Sequence, residues 1–222
     1  MKKIAHLVLL AVLLAGPAQG QSLNVDFGDP GNGPPPTYSA AGLAGVWNAF
    51  PALHLDEVDN LLGLDGEPTA VSLRQIGGME NLLVHDEAIT GDDATLMDDF
   101  LVTYRDDLES CIFFSNVQPG IYEVLIYARM PDPAILSYTD VDEEVDNPHS
   151  TVGGVWPGQH EELKSYSRHV ATVGSNGFLN LHSGIVPGAD EEDGAALNGV
   201  QLIFSGVFMD GFESGDVSAW GP

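Results

Sequence analysis

Short runs of alternating apolar and polar residues fill most of this chain, with turn residues between the runs. Leu23-Asn-Val-Asp-Phe27 alternates as a half-buried strand does. Cys111 to Phe114, Tyr122 to Arg129, Ser165 to Val173, Phe178 to His182 and Val200 to Phe204 are rich in β-branched and aromatic residues, and each predicts a strand. Pro119-Gly120, Ser175-Asn-Gly177 and Asn198-Gly199 supply turn chemistry between them. Both faces of Tyr122 to Ala128 are largely apolar, Glu123 excepted, which predicts a central strand rather than an edge. Leu61 to Leu64, Asp65-Gly66 and Thr69 to Ile76 read as a hairpin closed by an Asp-Gly turn. Gly28 to Pro36 is too rich in Gly and Pro to be anything but loop, and Asp92 or Asp93 would cap a short helix through Met97 and Phe100. With no longer helical pattern to alternate with the strands, the expectation is an all-β antiparallel sandwich with one or two short helices at its edge.

The two ends stand apart from this pattern. Lys2 and Lys3 precede an apolar run from Ile4 to Ala15, followed by Gly16-Pro-Ala-Gln-Gly20, which reads as a signal peptide over residues 1–20, cleaved before Gln21. The run is short for a membrane span, and no Cys follows the cleavage point to carry a lipid. The expectation is a sandwich domain over 21–205, secreted or at the cell surface, and a flexible tail over 206–222 in which single aromatics alternate with Gly and acidic residues.

Charge narrows the partners. The chain carries 33 Asp and Glu against 7 Lys and Arg, for a net charge of −26, and loss of Lys2 and Lys3 makes the remainder more acidic still. Such a surface repels phosphate backbones and anionic membranes, so neither nucleic acid nor a membrane is expected as a partner. Cys111 is the only cysteine, so no intrachain disulfide can form. Its place at the head of an apolar run predicts a buried, inert thiol.

Four pieces then resemble a known group in order: Tyr38 to Asn48, Leu61 to Leu73, Pro119-Gly-Ile-Tyr-Glu-Val-Leu-Ile-Tyr127 and Leu197-Asn-Gly-Val-Gln-Leu202. They are similar to bacterial exported proteins whose domains are galactose-binding-like jelly-roll sandwiches, related in fold to malectin and to carbohydrate-binding modules. The segment Asp210-Gly-Phe-Glu-Ser-Gly-Asp-Val-Ser-Ala-Trp220 resembles a short tail recurring on such proteins. The resemblance implies export and the fold more firmly than a function.

Sugar recognition needs flat aromatic faces with polar groups beside them. The candidates are Tyr38, Trp47, Tyr104, Tyr138, Trp156 and Tyr166, with His160 and Glu161 as hydroxyl partners. Trp156 leads them, because Gly153-Gly-Val-Trp-Pro-Gly158 is a loop able to present it. Calcium is a candidate cofactor, with Asp26, Asp140 and Asp142 as candidate ligands and further acidic clusters at Asp92-Asp93 with Asp98-Asp99 and at Asp190-Glu-Glu-Asp193. Asp140, Asp142 and Glu144 imitate the opening of an EF-hand, but Val145 replaces its turn glycine and Thr151 its bidentate glutamate. Enzymatic motifs are poor. His160-Glu-Glu-Leu-Lys164 is half a zinc-protease motif with Lys164 in place of the second histidine, and there is neither a nucleophile elbow nor a phosphate loop. No catalytic residue is assigned. The reading is a non-catalytic module that binds a polysaccharide or other glycan. Its alternatives are an acidic structural or adhesive surface protein with protein partners, stabilised by calcium, and a hydrolase.

Overall fold

A computed structural model describes residues 21–28, 30–51, 57–78, 80–103, 109–144, 148–190 and 194–206. The expected signal peptide, nearly all of the expected tail, and Tyr104 lie outside the described residues.

In chain order the elements are β1 (Leu23–Asp26), β2 (Trp47–Ala49), β3 (Glu57–Val58), β4 (Ser72–Gly77), β5 (Glu80–Leu83), α1 (Asp92–Met97), β6 (Asp99–Thr103) and β7 (Glu109–Ser115). They continue with β8 (Gly120–Tyr127), β9 (Leu136–Val141), β10 (Ser150–Gly153), β11 (Tyr166–Val173), β12 (Leu179–Ile185), β13 (Ala195–Leu197) and β14 (Gly199–Gly206). A five-stranded sheet runs β11-β8-β14-β1-β2, a six-stranded sheet β10-β9-β12-β7-β4-β3, and a small three-stranded sheet β13-β6-β5. Every strand pair is antiparallel except β1 with β2. The expected all-β sandwich is what forms, and β8 is an interior strand between β11 and β14.

Strand alternation builds the core. Tyr122, Val124 and Ile126 of β8, Val200 and Leu202 of β14, and Leu23 and Val25 of β1 share one buried cluster with Leu73 of β4, Ile112 and Phe114 of β7, and Leu179 and Leu181 of β12. Each fully buried aliphatic side chain is worth ~1.5–3 kcal/mol relative to exposure. The opposite alternation puts Leu125 and Tyr127 of β8 on the outer face, where they join a separate cluster.

A polar chain crosses the core. His169 of β11 donates from Nδ1 to the Glu144 carboxylate at 2.6 Å, its Nε2 lies 3.1 Å from Ser167 Oγ, and Thr139 donates to Ser167 at 2.7 Å. A serine, a histidine and a carboxylate in sequence imitate a hydrolytic triad. Ser167 and His169 are buried between the sheets, where each is satisfied by its partners and out of a substrate's reach.

Four local expectations change. Asn198-Gly199 turns no hairpin, because β13 pairs with β6 while β14 pairs with β1 and β8, so the chain changes sheets there. Asn198 is buried, donates to the carbonyls of Met97 and Asp99 at 3.3 Å each, and accepts the Arg129 N–H at 2.9 Å. Gly199 is a glycine for closeness: a Cβ there would lie 2.7 Å from Leu96 Cδ1 and 2.9 Å from the Val25 carbonyl oxygen. The Asp65-Gly66 hairpin forms but is short: with Gly66 at φ +84°, Leu61 exchanges 2.9 Å backbone hydrogen bonds with Thr69 and Val71 and Leu62 bridges Pro68, whereas β4 beyond it pairs with β3 and β7. The helix ends at Met97, Phe100 belongs to β6, and Gly91 at φ +68° stands at the N-cap with Asp92 and Asp93 in the first turn. Cys111 is not buried in the core: Ile112 and Phe114 take the inward positions of β7, which turns Cys111 half-exposed onto the outer face.

Candidate functional site

On the outer face of the five-stranded sheet, β8 contributes Leu125 and Tyr127, β2 Trp47, β11 Tyr166 and α1 Leu96 and Met97, with Tyr38 and Trp156 packed against them from loops. Four of the six candidate aromatics, Tyr38, Trp47, Trp156 and Tyr166, converge here together with His160. The His160 ring is the hub, with centroids 5.3 Å from Trp156, 5.1 Å from Tyr127 and 6.2 Å from Tyr38. Trp47 meets Tyr38 at 6.0 Å and Tyr127 at 6.4 Å, and Tyr166 meets Tyr127 at 5.7 Å. Trp47 and Tyr166 are buried, so they support the cluster from beneath rather than offering a face.

Hydrogen bonds fix the rings. Trp47 Nε1–H donates to the Tyr38 carbonyl at 3.2 Å. The Tyr38 hydroxyl donates to Asp93 at 2.7 Å and lies 2.6 Å from His160 Nε2, while His160 Nδ1 is 3.1 Å from Ser165 Oγ. With the single tyrosine proton on Asp93, Nε2–H of a neutral imidazole donates to Tyr38, and Nδ1 accepts from Ser165. The Tyr127 hydroxyl donates to Gln201 at 2.6 Å and accepts the Ala41 N–H at 2.9 Å. Burial pushes the His160 pKa down to about 4, against the opposing pull of Asp93. Asp93 is 3.4 Å from His160 Nε2, close enough for an ion pair, but the ring is only 5% exposed and burial outweighs that attraction. Burial, then the bond to Asp93, raises the Tyr38 pKa well above its ordinary value.

Trp156 differs from its neighbours. It is half-buried on the loop after β10, where Gly154 (φ +107°) and Gly158 (φ +91°) take conformations that favour glycine. The Arg129 guanidinium lies 5.9 Å from the ring centroid, anchored to Asp86 at 2.8 Å and to the Gly154 carbonyl at 3.1 Å. The indole is thus held on a rigid base with part of its surface left to solvent. Tyr127 and Arg129 were not sequence candidates for the site; the period-two alternation of β8 is the signal that puts Tyr127 on this face.

Tyr138 is elsewhere. It stands in β9 on the outer face of the six-stranded sheet, its hydroxyl hydrogen-bonded to the Glu109 carboxylate and its ring 5.3 Å from that of His149. Asp140 and Asp142 are on this same face, beside His182.

The three predicted metal ligands therefore do not form one site. Asp26 is buried in β1, and neither of its carboxylate oxygens has a hydrogen-bond partner among the described residues. Burial, with the charge of Asp99 added, pushes its pKa well above the usual carboxylate range. Asp99 sits so close to the chain at Gly28 that a Cβ there would lie 2.1 Å from its Oδ2, and a Cβ on Gly33 would lie 3.3 Å from Asp26 Oδ2. Asn81 Oδ1, also buried without a partner, belongs to a residue lining a cavity of about 280 Å³ with Asp99. Oxygen donors that lack hydrogens suit a hard cation such as calcium. A roomier cavity, about 410 Å³, is lined by Gln21, Asp65, Glu67 and Gln118 among others and contains none of the candidate aromatics.

No protein-family model matches the sequence, and no curated protein does. Among solved structures, the chain is similar to Bacteroides uniformis β-glucuronidase 2 covalently bound to cyclophellitol-6-carboxylate aziridine, at 13% identity and a TM-score of 0.44, over 83% of this chain and 18% of the glucuronidase. It is similar to TmCBM61 in complex with β-1,4-galactotriose, at 10% identity and a TM-score of 0.34, over 60% of this chain and 88% of that one. The chain spans under a fifth of the glucuronidase, and neither likeness is close enough to carry a function.

Proposed function

We propose that this chain is an exported, non-catalytic glycan-binding sandwich in which Trp156 is the stacking face. The supporting observation is the half-exposed indole on a glycine-rich loop, braced by His160 and Arg129, with His160 in turn held by Tyr38 and Asp93. An aromatic ring held rigid before a ligand arrives loses little entropy on stacking against the C–H face of a pyranose. The leader and the acidic surface fit an extracytoplasmic protein whose partners are neutral polysaccharides. The test is a glycan array, followed by titration of the best polysaccharide into wild type, Trp156→Phe and Trp156→Ala. We expect Trp156→Ala to lose about tenfold in affinity, equivalent to ~1.4 kcal/mol, and Trp156→Phe to lose less. Binding to no polysaccharide, or binding indifferent to Trp156, would sink the proposal.

Asp26 favours a companion reading, in which calcium held with Asp99 and Asn81 stabilises the fold of an acidic surface protein. A melting temperature that stays the same in calcium and in chelator would remove it.

A further inference from the structure

The outer face of the six-stranded sheet carries a second cluster that glycan stacking does not use. Adjacent strands set it by register: His182 of β12 lies opposite Asp140 of β9 on one side and Cys111 of β7 on the other. Residues directly opposite on one face have Cβ atoms about 4.5–5.5 Å apart, so their side chains meet. Asp142, just past the end of β9, brings its Oδ1 to 3.3 Å from His182 Nε2, and donor atoms of Asp140, Asp142 and His182 all lie within 4.8 Å of one another. His149 approaches from the segment before β10, with Nε2 3.4 Å from Asp140 Oδ2.

These separations are long for hydrogen bonds and match another geometry. A tetrahedral centre with bonds of about 2.0–2.1 Å places its donor atoms roughly 3.3–3.4 Å apart. Asp140 supplies an independent sign. It is only 5% exposed, and its Oδ1 has no hydrogen-bond partner among the described residues. The far side of His182 is arranged as for a ligating histidine: Nδ1 is 3.1 Å from Cys111 Sγ and 3.9 Å from Glu109 Oε1, and Glu109 is itself held by Tyr138.

Two other readings fit less well. Cys111, His182 and Asp142 have the order of a thiol triad, but β7 is paired on both sides, by β12 and β4, so its amides are committed to the sheet rather than poised for an oxyanion. Calcium prefers oxygen ligands throughout, and two imidazoles belong to a borderline cation.

We infer that Asp140, Asp142 and His182 form a binding site for a borderline divalent cation of the zinc class on the outer face of the six-stranded sheet, with exposed His149, beside Asp140, as the fourth ligand drawn in by the ion. Cys111 and Glu109 are positioning residues that orient His182 through its second nitrogen.

The experiment uses the chain from Gln21 to Pro222, stripped with chelator and titrated with zinc and with calcium by calorimetry, then with cobalt(II) as an optical probe. We expect one zinc per chain, little response to calcium at this site, and visible cobalt bands of tetrahedral intensity without a strong thiolate charge-transfer band. His182→Ala and Asp142→Asn should each weaken zinc binding by about tenfold or more. His149→Ala, at an exposed position that leaves the fold intact, should weaken it too, whereas Asp26→Asn should not. Absence of zinc binding, zinc affinity unchanged in all three site variants, or binding abolished by Cys111→Ser with a thiolate band in the wild type would overturn the assignment.

Discussion

Acidification should weaken this fold through one histidine. His160 titrates at about 4 in the folded chain, against 6.5 for the unperturbed side chain. Between those values the unfolded chain takes up a proton that the folded chain refuses. The contribution of the neutral ring is therefore complete above pH 6.5 and declines as pH falls toward 4. Each pH unit of separation corresponds to about 1.4 kcal/mol, so the gap amounts to about 3 kcal/mol, a large share of a typical domain stability of roughly 5–15 kcal/mol. The ring is buried among Tyr38, Tyr127 and Trp156, with Ser165 on Nδ1; among the described residues Asp93 is the charged group that acts on it, and it opposes the shift without reversing it. The assay is urea unfolding, followed by tryptophan fluorescence, of wild type and His160→Gln at steps from about pH 7 to about pH 4. Glutamine keeps a donor and an acceptor for Tyr38 and Ser165 but cannot titrate, so the variant should be less stable at neutrality and flatter with pH. Contributions from other carboxylates cancel in the comparison. Equal pH slopes for the two proteins, or a His160 imidazole that titrates near 6.5 by NMR, would refute the reasoning.

Two further outcomes follow from close packing and buried charge. Asp26 has its folded pKa raised, so its carboxyl contributes stability below the ordinary carboxylate range that is lost as pH rises; Asp26→Asn should raise stability at neutral pH in chelator and remove any stabilisation by calcium, and a variant less stable than wild type in chelator would contradict this. Gly199→Ala must push against Leu96 and the fixed Val25 carbonyl, costing about 2 kcal/mol or more; the melting temperature should fall by roughly 4–8 °C, and a fall within error would show that the backbone gives way there.

The strands legible in the sequence are those whose inward residues are apolar and whose turns are marked. β1, β7, β8, β11, β12 and β14 all fall on predicted runs. β9 and β10 were missed because Leu136-Ser-Tyr-Thr-Asp-Val141 and Ser150-Thr-Val-Gly153 carry polar residues at inward positions, where Ser137 and Thr139 hydrogen-bond within the structure. Cys111 could have been turned outward by the same alternation that buries Ile112 and Phe114, but its neighbours' hydrophobicity concealed the period.

Alternation and turn chemistry, properties of a few neighbouring residues, decided by themselves that this chain is a β-sandwich and that β8 lies inside a sheet. The chemistry of the side chains themselves marked Tyr38, Trp47, Trp156, His160 and Tyr166 as worth following. Only the tertiary structure decided that these five gather in one cluster around His160 and Tyr127, that Tyr138 stands instead with Asp140 and His182, and that Asn198-Gly199 is a crossing between sheets rather than a turn. Those outcomes depend on strand order and register between segments far apart in the chain, and a local pattern of side chains carries no record of which distant strand lies beside it.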